Sequence, residues 1–152
     1  MNLLLLRHAK THSLNGQKVL SPEGGQQAQG VAHYLSQQAI DPCVILHSPI
    51  ARAKQTAEVI AQDLDISFIQ AQNWLSPGCH WQVLLKELAV YQSLKNVMLV
   101  GHEPDLSCLI EAIMGIEYGA IKIKKGSLAY LQGLTPPSRG GTLRWLYEPK
   151  TA

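Results

Sequence analysis

Leu3-Leu4-Leu5-Leu6-Arg7-His8-Ala9-Lys10 is the stretch on which the reading of this chain turns. Four consecutive leucines bounded by charge describe a short strand covered on both faces, as in a parallel sheet, although a leucine run can equally begin a buried helix. The abrupt change to Arg7-His8 decides for the strand. A central strand ends there, and its carboxyl end presents a guanidinium beside an imidazole. In open α/β sheets that edge is where ligands bind. A guanidinium offers fixed, planar, paired donors that match a phosphate, and an imidazole can act as nucleophile or proton carrier near neutral pH.

Working outward, two further apolar runs behave in the same way. Cys43-Val44-Ile45-Leu46 breaks into His47-Ser48-Pro49, and residues 96–101 end in His102-Glu103-Pro104. Helices are expected after each strand. Ser21-Pro22-Glu23 combines a hydroxyl N-cap, a proline at the first helical position and an acid in the first turn. That helix is predicted to run to about residue 38, burying Ala28, Val31, Ala32 and Leu35, with His33 and Tyr34 at its surface. Ser48 is expected to cap a helix beginning at Pro49, with an apolar face through Ile50, Ala53, Ala57, Ile60, Ala61 and Leu64. Arg52 falls in its first turn, off that face and near the free N–H groups of the helix start, which already favour an anion. A third helix follows through Leu106, Leu109, Ile110 and Ile113.

The remaining segments are read as a polar loop over residues 11–20 turning at Asn15-Gly16, a short edge strand over 66–69, a loop over 73–81 and a helix over 82–94. The alternation in residues 127–132 and 142–147 predicts a hairpin at one edge of the sheet. The expected fold is α/β: a three-layer sandwich with a mostly parallel central sheet, helices on both faces and an antiparallel C-terminal edge. Residues 1–152 are expected to form one domain, long enough to bury about two-thirds of the unfolded surface.

Composition narrows the function classes. A net charge of +2, with the cations scattered apart from Lys122, Lys124 and Lys125, is too mild to imply nucleic acid. No apolar run approaches the roughly 20 residues that span a bilayer, and no signal peptide or membrane association is expected. Cys43, Cys79 and Cys108 lie far apart with no paired spacing, which predicts reduced, buried thiols in a cytoplasmic protein.

The strand ends bring Arg7 and His8, then His47 and Arg52, then His102 to one edge. Arginines and histidines around one crevice make a cationic pocket with a possible nucleophile, which is equipment for phosphoryl transfer. There is no Walker loop and no carboxylate cluster for magnesium. His8-x-x-x-His12 has helical metal-ligand spacing, but the spacing means little in a loop and the flanking arginines repel cations. No metal and no cofactor are expected.

At this point the chain resembles the histidine phosphatase superfamily, and within it the small SixA-type phosphohistidine phosphatases. Leu-Arg-His-Ala-Lys, residues 6–10, is similar to the superfamily's Arg-His-Gly motif. Leu20-Ser21-Pro22-Glu23-Gly24 with Gln27-Ala28 is similar to the opening of its first helix. Ser48-Pro49 with Arg52-Ala53 and Gln55-Thr56-Ala57 matches its second arginine motif, and Val100-Gly101-His102-Glu103-Pro104 its second histidine motif. The short length, without a long insertion before His102, favours the SixA-type branch over the sugar-phosphate mutases.

The resemblance implies that His8 attacks phosphorus and carries it as phosphohistidine, while Arg7, Arg52 and His102 bind the equatorial oxygens. It implies a metal-independent phosphatase acting on a phosphohistidine-bearing partner protein, such as a phosphotransfer domain in signal transduction, and a monomer. Two positions depart from the family pattern. Ala9 replaces the usual glycine, so its φ must be negative or carry strain. His80 stands in the loop where many relatives place an acidic proton donor, and residues 66–86 contain no Asp or Glu. His80 is therefore the candidate substrate-binding residue of that loop. Two other readings stay open: a phosphatase or mutase for small phosphate esters, and a non-catalytic phosphoprotein-binding module.

Overall fold

The computed structural model of this chain describes residues 1–150. In chain order its elements are β1 (Asn2–Arg7), β2 (Thr11–Leu14), β3 (Gln17–Leu20), α1 (Pro22–Gln37), β4 (Val44–His47), α2 (Ala51–Leu64), β5 (Ile69–Ala71), α3 (Trp81–Leu88), β6 (Asn96–Gly101), α4 (Asp105–Met114), β7 (Leu128–Gln132) and β8 (Thr142–Tyr147). Short 3-10 turns lie at Asn73–Leu75 and Ala89–Tyr91.

The main sheet has the order β5-β4-β6-β1-β7-β8. Its first four members are parallel, whereas β7 runs antiparallel to β1 and β8 antiparallel to β7. The leucine run is the strand next to the centre, with all four leucines at 0% exposure. The two-residue side-chain period sends them to opposite faces. Leu3 and Leu5 join Leu84, Leu88, Leu106 and Ile110 beneath α3 and α4, while Leu4 and Leu6 join Val31, Leu35, Ala57 and Ile60 beneath α1 and α2. The three-layer sandwich with an antiparallel C-terminal edge is therefore the fold, and the carboxyl ends of β1, β4 and β6 share one edge.

Helix α1 begins as expected, with Ser21 accepting from the Gly24 N–H at 3.0 Å. Gly24 is required there, because a Cβ would meet the Lys10 carbonyl oxygen at 2.1 Å.

Several expectations need correction. Residues 11–20 are a hairpin of β2 and β3, closed by Asn15 and Gly16 at φ of 52° and 79°. Asn-Gly with both φ positive is the primed turn that matches strand twist, a signal outweighed by the exposure of the flanking residues. Helix α2 starts at Ala51, two residues later than expected: the Ser48 hydroxyl accepts the Ile50 N–H at 3.2 Å, but Ile50 is itself extended (φ −70°, ψ 139°) and serves as an N-cap without a side-chain bond. The edge strand begins at Ile69 because Ile66 still closes the end of α2, its N–H donating to Ala61 O at 2.8 Å. Helix α3 stops at Leu88 and tightens into a 3-10 turn whose Val90 is exposed, so no continuous apolar stripe carries it to residue 94. The cysteines are free, but Cys43 is exposed and Cys79 and Cys108 are only half-buried. Among the described residues no helix is long and apolar enough to cross a membrane.

Candidate active site

The last residue of β1 is Arg7, and the backbone just beyond it is held on both sides. The His8 N–H donates to Gly101 O at 3.0 Å, continuing the ladder with β6, and the Gly126 N–H is shared between the carbonyls of Arg7 and His8, both at 3.1 Å. His8 is 6% exposed. Its Nδ1 lies 2.9 Å from the Ala9 carbonyl, which can only accept. The neutral ring thus carries its proton on Nδ1 and leaves the Nε2 lone pair for attack. Ala9 is absent from the positive-φ residues, so the turn tolerates its methyl group, which is itself buried. The Ala9 N–H donates to Thr56 Oγ1 at 3.1 Å, and Thr56 Oγ1 donates to Arg52 O at 2.8 Å. One hydroxyl on α2 thus ties the loop after His8 to the turn that carries Arg52.

Arg7 is fixed from below by an Nη1 bond to Ile123 O at 3.0 Å. Its Nε is the one buried side-chain polar atom without a partner among the described residues. His102 follows β6, and its ring centroid lies 5.4 Å from that of His8. Its Nε2 is 2.9 Å from Ser48 Oγ. That oxygen already accepts the Ile50 N–H at 3.2 Å, and Ser48 is fully buried. Among the described residues the acceptor that faces the Ser48 hydroxyl proton is His102 Nε2, which places the proton of the neutral ring on Nδ1. His47, at the end of β4, is engaged separately, its Nδ1–H donating to Ser48 O at 2.8 Å.

The four residues are electrically coupled. Burial is the largest cause that pushes His8 down to about 4, and the positive charges of Arg52, Arg7 and Lys125 add to it against the Ala9 bond. His102 is also pushed to about 4, first by burial and then by His8, Arg52 and Arg7. Both imidazoles are therefore neutral at physiological pH, inside a field of two guanidinium groups. The arrangement can bind an oxyanion and offer it a neutral nucleophile.

His80 stands apart from these four. It is exposed and caps α3, its Nδ1 accepting the Gln82 N–H at 3.2 Å. It lines a cavity of about 460 Å³ with Trp81, Asp105, Cys108 and Arg139, and none of the four cationic-site residues reaches that cavity.

The two carboxylates at the turn into α4, Glu103 and Asp105, hold backbone. Glu103 accepts from the N–H groups of Ser107 and Ile123 at 2.9 and 3.3 Å, and from the Ser107 hydroxyl. Asp105 Oδ2 accepts from Gly78 N at 2.8 Å and Cys79 N at 3.2 Å. Burial raises the Asp105 carboxyl above its ordinary range, against these two bonds. Glu23 lies 2.6 Å from Lys10. The positioning hydroxyls of Ser48 and Thr56 were not separable from sequence. Their signal was spacing: Thr56 sits one helical turn beyond Arg52, on the same side of α2.

Comparison with known proteins bears out the family resemblance. Residues 3–75 match the family model of the histidine phosphatase superfamily (branch 1). An uncharacterised protein of Picosynechococcus sp. is 29% identical over 140 residues, covering 87% of this chain and 85% of the relative. Among solved structures, the protein histidine phosphatase SixA complexed with tungstate superposes with a TM-score of 0.87 at 21% identity, covering 98% of this chain and 97% of that one. The alpha-ribazole phosphatase of Shigella flexneri superposes with a TM-score of 0.77 at 18% identity, covering 96% of each chain. The chain carries the superfamily's sequence pattern in its N-terminal half and the histidine phosphatase fold throughout.

Proposed function

We propose that this chain is a metal-independent phosphatase that works through phosphohistidine on His8 and removes phosphate from a histidine of a partner protein. In the first step His8 Nε2 attacks phosphorus and the P–N bond to the substrate imidazole breaks. Arg7 and Arg52 neutralise charge on the equatorial oxygens and the neutral His102 ring donates its Nδ1–H to one of them, while an incoming oxyanion supplies the acceptor that Arg7 Nε lacks. The departing ring takes its proton from solvent. Water then attacks the phosphorus on His8, releasing inorganic phosphate and restoring the neutral ring. A site that binds oxyanions in this way is consistent with the tungstate held by the SixA relative.

The observation that carries the choice of substrate is the employment of the carboxylates. Glu103 and Asp105 are committed to backbone N–H groups. Ester hydrolysis expels an alkoxide, which needs a proton from a positioned acid. A phosphorylated imidazole leaves far more easily. The three free thiols fit a cytoplasmic location.

One observation favours the small-ester reading: the raised Asp105 carboxyl lies with His80 on the 460 Å³ cavity and could protonate a leaving oxygen. The test is kcat/KM on a phosphohistidine protein and on an alkyl phosphate, for wild type and Asp105→Asn, with rapid-quench trapping of acid-labile, base-stable phosphate on His8. Phosphohistidine should be the better substrate, and Asp105→Asn should alter both rates alike through the loop it holds. Faster alkyl ester hydrolysis, lost selectively in Asp105→Asn, would replace this reading with the ester one.

A further inference from the structure

Arg7 also lines a second cavity, of about 470 Å³, whose walls include Lys10, Gln27, Lys124, Lys125 and Glu148 but neither His8 nor His102. Nothing in the phosphoryl-transfer steps uses it. Four cations face one carboxylate there, in a chain whose whole net charge is only +2. Two of the lysines have partners: Lys10 lies 2.6 Å from Glu23 and Lys124 lies 3.7 Å from Glu148. Lys125 has no carboxylate within ion-pair distance among the described residues, and it is exposed. It also lines a neighbouring cavity of about 600 Å³ with Lys10, His12 and Glu23, so Lys125 belongs to the ridge that borders both.

This ridge is built into the active site. The Gly126 N–H is shared between the carbonyls of Arg7 and His8, the Arg7 N–H donates to Ser127 O at 3.1 Å, and Gln27 Nε2 donates to Lys125 O at 3.4 Å. The loop carrying Lys124 and Lys125 is thus hung on the backbone of the nucleophile itself. The charge of Lys125 is felt at His8.

We propose that this cavity receives an acidic side chain of the substrate protein, adjacent in its sequence or on its helix to the phosphohistidine, and so selects partners whose phosphohistidine is flanked by Asp or Glu. The proposal rests on the phosphohistidine-protein reading above and names a feature of that protein. The transferring phosphoryl group takes Arg7 and Arg52 on one side, which leaves the lysines to a second anion. Glu23 and Glu148 already pair with Lys10 and Lys124, which leaves too little unpaired positive charge for a nucleic-acid backbone. A single side-chain carboxylate needs only the unpaired Lys125, beside Lys10 on the wall of the same cavity.

Three phosphohistidine peptides, identical except for acidic, amide or lysine residues beside the phosphohistidine, test this with the full chain. The acidic peptide should exceed the amide peptide in kcat/KM by about threefold per carboxylate, the scale of an exposed ion pair, mostly through KM. The lysine peptide should fall below both, and added salt should compress the differences. In Lys125→Glu the order of the acidic and lysine peptides should invert, and in Lys125→Gln it should flatten. Because Lys125 is exposed, neither variant threatens the fold. Equal rates for the three peptides on wild type, or an acidic preference that survives Lys125→Glu, would overturn the proposal while leaving the substrate class intact. Cleavage of an aryl phosphate with none of any peptide would overturn both.

Discussion

Acidification gives the sharpest test of the coupled pair. His8 and His102 each sit near 4 in the folded chain, against an ordinary value of 6.5. In the unfolded chain they regain the ordinary value, so between these limits the unfolded state holds more protons. Stability is therefore fully present above about pH 6.5 and is lost as the pH falls towards 4. One histidine shifted in this way costs about 3 kcal/mol by pH 4. The pair costs more than one but less than twice that, because part of the His102 shift is repulsion from His8, 5.4 Å away, and is counted only once. Both groups are about nine-tenths or more buried, so little of this is screened. The assay is urea denaturation at pH 7.5 and 4.5, beside an NMR titration of the imidazole Cε1–H signals assigned through His8→Asn and His102→Asn. Both signals should stay flat from pH 8 to about 5, and stability should fall by at least about 2 kcal/mol. A signal for either histidine that titrates near 6.5 would refute the claim that burial and the two guanidinium groups hold them neutral.

Two substitutions probe the scaffold. Ser48→Ala removes the hydroxyl shared by His102 Nε2 and Ile50 N; it should cost about 1–3 kcal/mol for the stranded polar groups, and imidazole nitrogen shifts should show His102 losing its single Nδ1–H form along with a fall in kcat. Gly24→Ala drives a methyl group into the Lys10 carbonyl at 2.1 Å; it should destabilise by about 1–3 kcal/mol, measured by denaturant midpoint, and should lower turnover because Lys10 follows the nucleophile's turn.

The fold was largely legible because its strands state their environment. Leu3 through Leu6 could be apolar at every position only if both faces were covered, and the same holds for Val97 through Val100. Their polar sequels, Arg7-His8 and His102, mark the edge where that cover ends. The hairpin of β2 and β3 was less legible because it packs little: His12, Ser13, Leu14 and Lys18 are exposed, so only the turn dipeptide signals it. The start of α2 was misplaced for a chemical reason. Ser48-Pro49 is a sound cap by local rules, and Ser48 does accept the Ile50 N–H, but Ile50 stays extended and the helix begins only at Ala51; the hydroxyl's second bond, to His102, lies outside any pattern local to residue 48.

The carboxylates show why the site itself reads more clearly than its surroundings. From sequence, the loop after β5 simply lacks an acid. In the fold, two acids from the turn into α4 come close to the neighbouring loops, and Asp105 is even raised by burial. Proximity and a shifted proton affinity would ordinarily nominate it as a proton donor. Its hydrogen bonds argue otherwise: Oδ2 carries the N–H groups of both Gly78 and Cys79, so protonation would weaken two backbone anchors at once. Glu103 is bound still more completely, to Ser107 and Ile123. Negative charge near this crevice thus serves to hold the loops that frame it, while the charge within it is positive and the His8 imidazole neutral. Such a division suits the transfer of a phosphoryl group that already carries a good leaving group, and Asp105 is the residue on which the distinction turns.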